Sequence, residues 1–153
     1  MIILNDRSRK NIDDCIYIAK TLPEFFNDDG IKKISKDIEK HDVYIDSEEG
    51  IVKGFATINI KSESIAEISW MAVDKRFHRN RTGSKIMDFM AKDLKEKGYK
   101  ILEVKTLSHI VDYEPYKRTR NFYSKQGFML LETIDPYPEW GPENPCDIYI
   151  KII

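Results

Sequence analysis

Cysteine and histidine are scarce in this chain, two and three among 153 residues. Cys15 and Cys146 stand far apart with no CxxC pair, so they offer neither a thiolate metal spacing nor a dense disulfide framework. His41, His78 and His109 form no HExxH or other paired-ligand pattern, and no metal site is expected. No run of 18 apolar residues occurs, and "MIILNDRSRK" turns polar by its fifth residue. Neither a membrane-spanning helix nor a signal peptide is therefore expected. Charge of one sign is lacking too: 25 Lys and Arg face 26 Asp and Glu, for a net charge of −1. Proteins that live on nucleic acid or on anionic membranes carry a basic excess, so both partners are disfavoured. No repeat, low-complexity tract or linker interrupts the chain. One domain spanning residues 1–153, in a cytoplasmic protein, is the expectation.

What is present reads as alternating short elements. "IIL" at 2–4 is a first strand. "NIDDCIYIAKTL" places Ile12, Ile16 and Ala19 at helical spacing, and "DDGIKKISKDIEKH" does the same with Ile31, Ile34 and Ile38. "DVYIDSEEGIVKGFATINIK" reads as two strands around Glu48-Glu49-Gly50. "SIAEISWMAV" is a further strand. "TGSKIMDFMAKDLKEKG" carries an apolar face of Ile86, Met87, Met90, Ala91 and Leu94, closed by Gly98. "YKILEVKTL" is a strand, and "PYKRTRNFYSKQG" is a helix between Pro115 and Gly127. "FMLLETI" and "CDIYIKII" are last strands around "DPYPEWGPENP", a stiff irregular loop with four prolines. Strand–helix–strand around 65–106 implies a parallel crossover. The fold class is α+β: a mixed central sheet of about seven strands, flanked by about four helices in a sandwich.

The stretch "HRNRTGSKIM", His78 to Met87, opens a helix with basic and small residues. Three readings stand: a phosphate cradle, a nucleic-acid patch, or a solvated helix start. Residues 75–100 hold nine Lys and Arg against three Asp and Glu, but no aromatic stacking platform interleaves them. A helix N-terminus presents unpaired N–H groups and about half a positive charge, so its backbone alone can bind a pyrophosphate.

The segments "AEISWMAVDKRFHRNRTGSKIM", "ILEVKTL" and "TRNFYSKQGF" resemble the GNAT superfamily of acetyl-CoA-dependent N-acetyltransferases, most specifically from residue 65 to 128. The element order is similar over almost the whole chain. The resemblance implies acetyl-CoA as co-substrate, with its pyrophosphate on a loop that in the family reads Arg/Gln-x-x-Gly-x-Gly/Ala. Here that loop is His78, Arg79, Asn80, Arg81, Thr82 and Gly83, with Ser84 following. His78 stands for Arg or Gln, Arg81 for the first glycine, and only Gly83 is retained. Arg81 is expected at negative φ, since a left-handed conformation costs about 1–2 kcal/mol. Arg79 and Arg81 can add charge-assisted contacts to phosphate. The resemblance also places the pantetheine arm along the backbone of Met71, Ala72 and Val73, with the Met71 N–H donating to the oxyanion. Tyr116 stands where many relatives carry a cofactor-contacting Asn, and packing is its expected role.

Acetyl transfer requires an amine to lose a proton, an oxyanion to find a donor, and a thiolate to leave. Glu67 is the candidate base, at a position where some family members keep a catalytic Glu, while others use a water chain. Strict alternation puts it on the face of Ser69, Met71 and Val73. Burial disfavours a charged carboxylate, which suits a base near neutral pH. Tyr123 aligns with the family tyrosine that points at the CoA sulfur. A phenol titrating at about 10 protonates a thiolate only marginally, yet can hydrogen-bond it. Residues 132–147 carry five acidic and no basic residues, and 24–49 carry nine acidic residues against four Lys. In this family both regions flank the acceptor site, so a cationic small-molecule or peptide amine is expected, with Tyr137 and Trp140 as walls. A homodimer is left open. The competing reading is a non-catalytic acyl-CoA-binding sensor or regulatory domain.

Overall fold

The computed structural model describes residues 1–153. Strands β1 (Ile2–Leu4), β2 (Asp42–Glu48), β3 (Ile51–Ile60), β4 (Ile65–Val73), β5 (Ile101–Leu107), β6 (Met129–Ile134) and β7 (Cys146–Ile152) form one sheet ordered β1-β2-β3-β4-β5-β7-β6. Helices α1 (Arg9–Lys20), α2 (Asp28–Asp37), α3 (Thr82–Glu96) and α4 (Glu114–Lys125) connect them. Each expected strand and helix is present, in the expected order. The pair β4–β5, joined by the α3 crossover, is parallel. Every other neighbouring pair is antiparallel.

Local chemistry explains the boundaries. Ser8 and Asn27 cap α1 and α2, their side-chain oxygens accepting from Asn11 N and Gly30 N at 3.3 and 2.8 Å. Glu48 ends β2, leaving a two-residue turn of Glu49 and Gly50 with φ of 51° and 77°. Positive φ at both positions is what a tight hairpin turn requires. One face of the sheet packs against α3 and α4 through Ile58, Ile68, Met87, Met90 and Leu102. The other packs against α1 and α2 through Val43, Ile45, Phe55, Ile18 and Ile34. Each such buried aliphatic side chain contributes about 1.5–3 kcal/mol. The inward face of α1 is Ile12, Cys15, Ile18 and Ala19, and the expected Ile16 is only half-buried.

Two irregularities place the site. Pairing of β4 with β5 is confined to Ile65–Ile68 against Ile101–Val104, and beyond it the strands part. The β3–β4 register also jumps, Ile58 opposing Ile68 while Thr57 opposes Trp70. Ser69 is the extra residue of a β-bulge. This overturns the alternation expected for β4. Glu67 pairs with Asn59 on the α1–α2 face, whereas Met71 and Val73 pair with Ala56 and Gly54 on the α3–α4 face. Ser69 keeps to the Glu67 side, its Oγ 2.7 Å from Thr57 Oγ1.

Candidate active site

The loop His78–Arg81 carries β4 into α3. Arg79 and Arg81 have φ of 70° and 60°. The expectation of negative φ at Arg81 is therefore corrected. The turn needs a left-handed residue there to aim the chain into α3, and glycine is the residue that adopts it freely. Arg81 is the N-cap of α3 but makes no side-chain capping bond. Its carbonyl accepts from Lys85 N at 2.9 Å, and the amides of Thr82, Gly83 and Ser84 have no protein acceptor. A left-handed residue followed by helical ones turns consecutive N–H groups toward one side, which makes an anion-binding concavity.

Gly83 has a packing reason as well. A Cβ there would lie 3.2 Å from Phe122 Cζ and 3.7 Å from Val73 Cγ2. The end of β4, the start of α3 and the last turn of α4 thus converge on one glycine. Gln126 Nε2 donates to Ser84 Oγ at 3.0 Å, and the Thr82 side chain is buried beneath the turn. Arg79, Asn80 and Arg81 project into solvent, and His78 Nε2 sits 2.8 Å from the Val73 carbonyl oxygen.

Beyond Ile68, the β5-facing edge of β4 from Ser69 to Val73 has no strand partner. On the facing strand, Thr106 Oγ1 is buried without a hydrogen-bond partner. An unpaired strand edge, an orphaned hydroxyl and three open amides suit an extended amide-bearing ligand that ends in a diphosphate. Met71 and Val73 lie on this edge, facing the α4 side. Ala72 points to the opposite face and packs with α1 and α2. Tyr123 is buried edge-on against Phe122 and Phe128, with ring centroids 5.4 and 5.3 Å away. Burial pushes its phenol well above its ordinary value. Tyr116 packs edge-on to Phe25 at 5.4 Å, and its hydroxyl donates to the Phe25 carbonyl at 3.0 Å. Burial pushes that phenol up to about 12.

Glu67 is buried on the other face, at the apex where β4 and β5 begin to part. It is not alone. Lys105 Nζ donates to Glu67 Oε2 and lies 3.5 Å from Glu103 Oε1, and Glu67 and Glu103 are direct cross-strand partners. Burial opposes the Lys105 charge, but its hydrogen bond to Glu67 and the field of both carboxylates outweigh that and hold the ammonium above its ordinary range. The phenol of Tyr137 is raised by burial against the opposing field of Lys105, which brings the proline loop within electrostatic reach of the pair. Tyr137 and Trp140 stack edge-on at 4.9 Å.

The segment after β5 reaches the α1–α2 connection. Tyr113 Oη donates to the Glu24 carbonyl at 2.7 Å, as Tyr116 does to Phe25, tying α4 to the α1–α2 connection. His109 anchors the base of this segment, its N and Nδ1 lying 3.0 and 2.7 Å from Asp147 Oδ2. Thr133 Oγ1 donates to Asp147 Oδ1 at 2.7 Å. Burial alone would raise the Asp147 carboxyl, but the donors of His109, Ser108 and Thr133 outweigh it and hold it below its usual range. Lys105, Glu103, Thr106 and the Asp147 anchor all escaped sequence reading. A Glu and a Lys inside the apolar strand "ILEVKTL" were the one signal that β5 carries more than core.

The model of the acetyltransferase (GNAT) domain matches residues 39–130, from the end of α2 into β6. The chain belongs to the GNAT acetyltransferase family. No curated protein matches it in sequence. Among solved structures it is similar to one assigned to the GNAT family from Desulfovibrio desulfuricans, with TM-score 0.86, 14% identity and 99% of both chains covered. A GNAT-family acetyltransferase from Elizabethkingia anophelis, with acetyl-CoA bound, aligns with TM-score 0.75 and 17% identity over 100% of this chain and 97% of that one. The aminoglycoside 6'-N-acetyltransferase from Enterococcus faecium aligns with TM-score 0.76 and 15% identity over 99% and 96%. At these identities the likeness is one of fold. No helix is long and apolar enough to cross a membrane.

Proposed function

We propose that this chain transfers an acetyl group from acetyl-CoA to a primary amine by direct attack within a ternary complex. The observation that carries the reading is the parting of β4 from β5, with open α3 amides at one side of the gap and Glu67 at its apex on the other. The amides of Thr82, Gly83 and Ser84 take the diphosphate, and the free edge from Ser69 to Val73 pairs with the pantetheine arm. Arg79 and Arg81 add charge from solvent. The tilted β4 edge leaves the Met71 N–H to stabilise the oxyanion.

The acceptor enters on the Glu67 face as an ammonium and yields one proton to the Glu67 carboxylate. Its nitrogen then forms the bond to the thioester carbon. The intermediate collapses with cleavage of the carbon–sulfur bond, and the second nitrogen proton passes to the departing thiolate. Because burial raises the Tyr123 phenol, full transfer of its proton to sulfur is uphill. Tyr123 therefore acts as a hydrogen-bond donor to the leaving sulfur.

The closed Glu67–Lys105 ion pair favours the alternative of a binding domain without catalysis, since it already occupies the base. CoA thiol release separates the two. Release that depends on added amine supports transfer. Acetyl-CoA binding with no release on any amine supports the sensor.

A further inference from the structure

The bulge at Ser69 brings Trp70 onto the face of Glu67, and Trp70 is one of five aromatic residues that meet there. Phe26 lies edge-on to Trp70 at 6.2 Å, Phe25 to Tyr116 at 5.4 Å, and Tyr116 is 5.9 Å from Tyr113. They come from three separate elements: the α1–α2 connection, β4 and the start of α4. None is fully buried: four are half-buried and Tyr113 is 36% exposed. Aromatic surface left partly wet on the same sheet face as a buried carboxylate is surface that a ligand can cover.

The polar ends of this wall are already closed. The Trp70 indole donates to Asp37 Oδ2 at 2.7 Å, and the Tyr113 and Tyr116 hydroxyls donate to the Glu24 and Phe25 carbonyls. The Ser69 hydroxyl is shared between Thr57 and His41. What remains is ring surface with no spare donor. A polyhydroxylated amine would leave its own hydroxyls unpaired against such a wall, at about 1–3 kcal/mol each. The charge at the apex is limited as well. Glu67 and Glu103 already share Lys105, which leaves one carboxylate charge unmatched. That suits one ammonium, and Lys105 repels a second.

Resting on the transferase reading above, we propose that the acceptor is a monoamine whose ammonium stands on a short stem from a flat aromatic ring. The ring lies against Trp70 and Phe26, and the ammonium reaches Glu67.

The test is thiol release from acetyl-CoA with 2-phenylethylamine, hexylamine, spermidine and an aminoglycoside. The expected order gives 2-phenylethylamine a kcat/KM at least tenfold above spermidine and the aminoglycoside, and several-fold above hexylamine. Trp70→Ala and Phe26→Ala should each raise KM for 2-phenylethylamine about tenfold, with KM for acetyl-CoA within twofold. Trp70→Phe, which keeps a ring and the fold, should recover most of the loss. A preference for spermidine or the aminoglycoside, or unchanged KM in the folded variants, overturns this proposal and leaves the transferase reading standing. Turnover of none of the four, with acetyl-CoA still binding by calorimetry, overturns this proposal, and the transferase reading falls with it only if peptide amines also give no release.

Discussion

The starts of α2 and α3 are built in opposite ways. Asn27 closes α2 with its own side chain, accepting from Gly30 N at 2.8 Å. Arg81 offers α3 no such bond, and three amides stay open. A side-chain cap is worth about 1 kcal/mol, so forgoing it leaves a cost in the free chain that an anion can offset. The same contrast separates the two sides of the site. On the acceptor side the indole and tyrosine donors already have protein partners. On the donor side backbone donors wait. One side presents mainly ring surface, the other open amide donors.

Variants should move one side at a time. The largest effect belongs to Glu67→Gln, which should lower kcat/KM about 10²–10⁴-fold, the range for a positioned base. The loss should be greatest at low pH, where little amine is free, and the calorimetric Kd for acetyl-CoA should not change. A changed Kd would merge the two sides. Asp147→Asn tests the anchor between them. It should cost about 2–3 kcal/mol, or roughly 4–10 °C in Tm, and leave the ratio of the two KM values alone. Because the Asp147 carboxyl is held below its usual range, its contribution is full above about pH 4 and lost as pH falls through the folded value. Acid melts of the wild type should show that loss, and those of the variant should lack it.

Arg81→Asp puts a carboxylate beside the open amides. It should weaken acetyl-CoA binding by about 10–100-fold, with amine preference unchanged. Tyr123→Phe should lower kcat by about tenfold with little change in either affinity, as expected for one lost hydrogen bond to sulfur. The smallest effect is Arg81→Gly. Relief of a left-handed side chain, about 1–2 kcal/mol, is partly cancelled by glycine's unfolded-chain entropy. A net gain of up to about 1 kcal/mol should appear as a higher Tm.

Much of the fold was legible because it is periodic. The apolar stripe Ile86–Leu94, the alternation in "ILEVKTL" and the caps at Gly98 and Gly127 are local signals with local causes. The site was legible only where it coincides with such signals, as at the turn into α3. The bulge at Ser69 left no mark, since neither Gly nor Pro announces it. The meeting of Glu67 with Glu103 and Lys105, the last 38 residues away in sequence, depends on the parallel register of two strands separated by a helix. The left-handed backbone at Arg79 and Arg81 was hidden because the glycines that usually advertise it are absent.

The extra residue at Ser69 has one more consequence. It shifts the alternation of β4 by one position, so that Trp70 shares the sheet face of Glu67 while Met71 and Val73 lie on the other. Were the same residues to pair with β3 without a bulge, Met71 and Val73 would cross to the Glu67 side of the sheet and Trp70 would leave it. In the proposed reaction that register, more than any single side chain of β4, holds amine and thioester on opposite faces of one sheet.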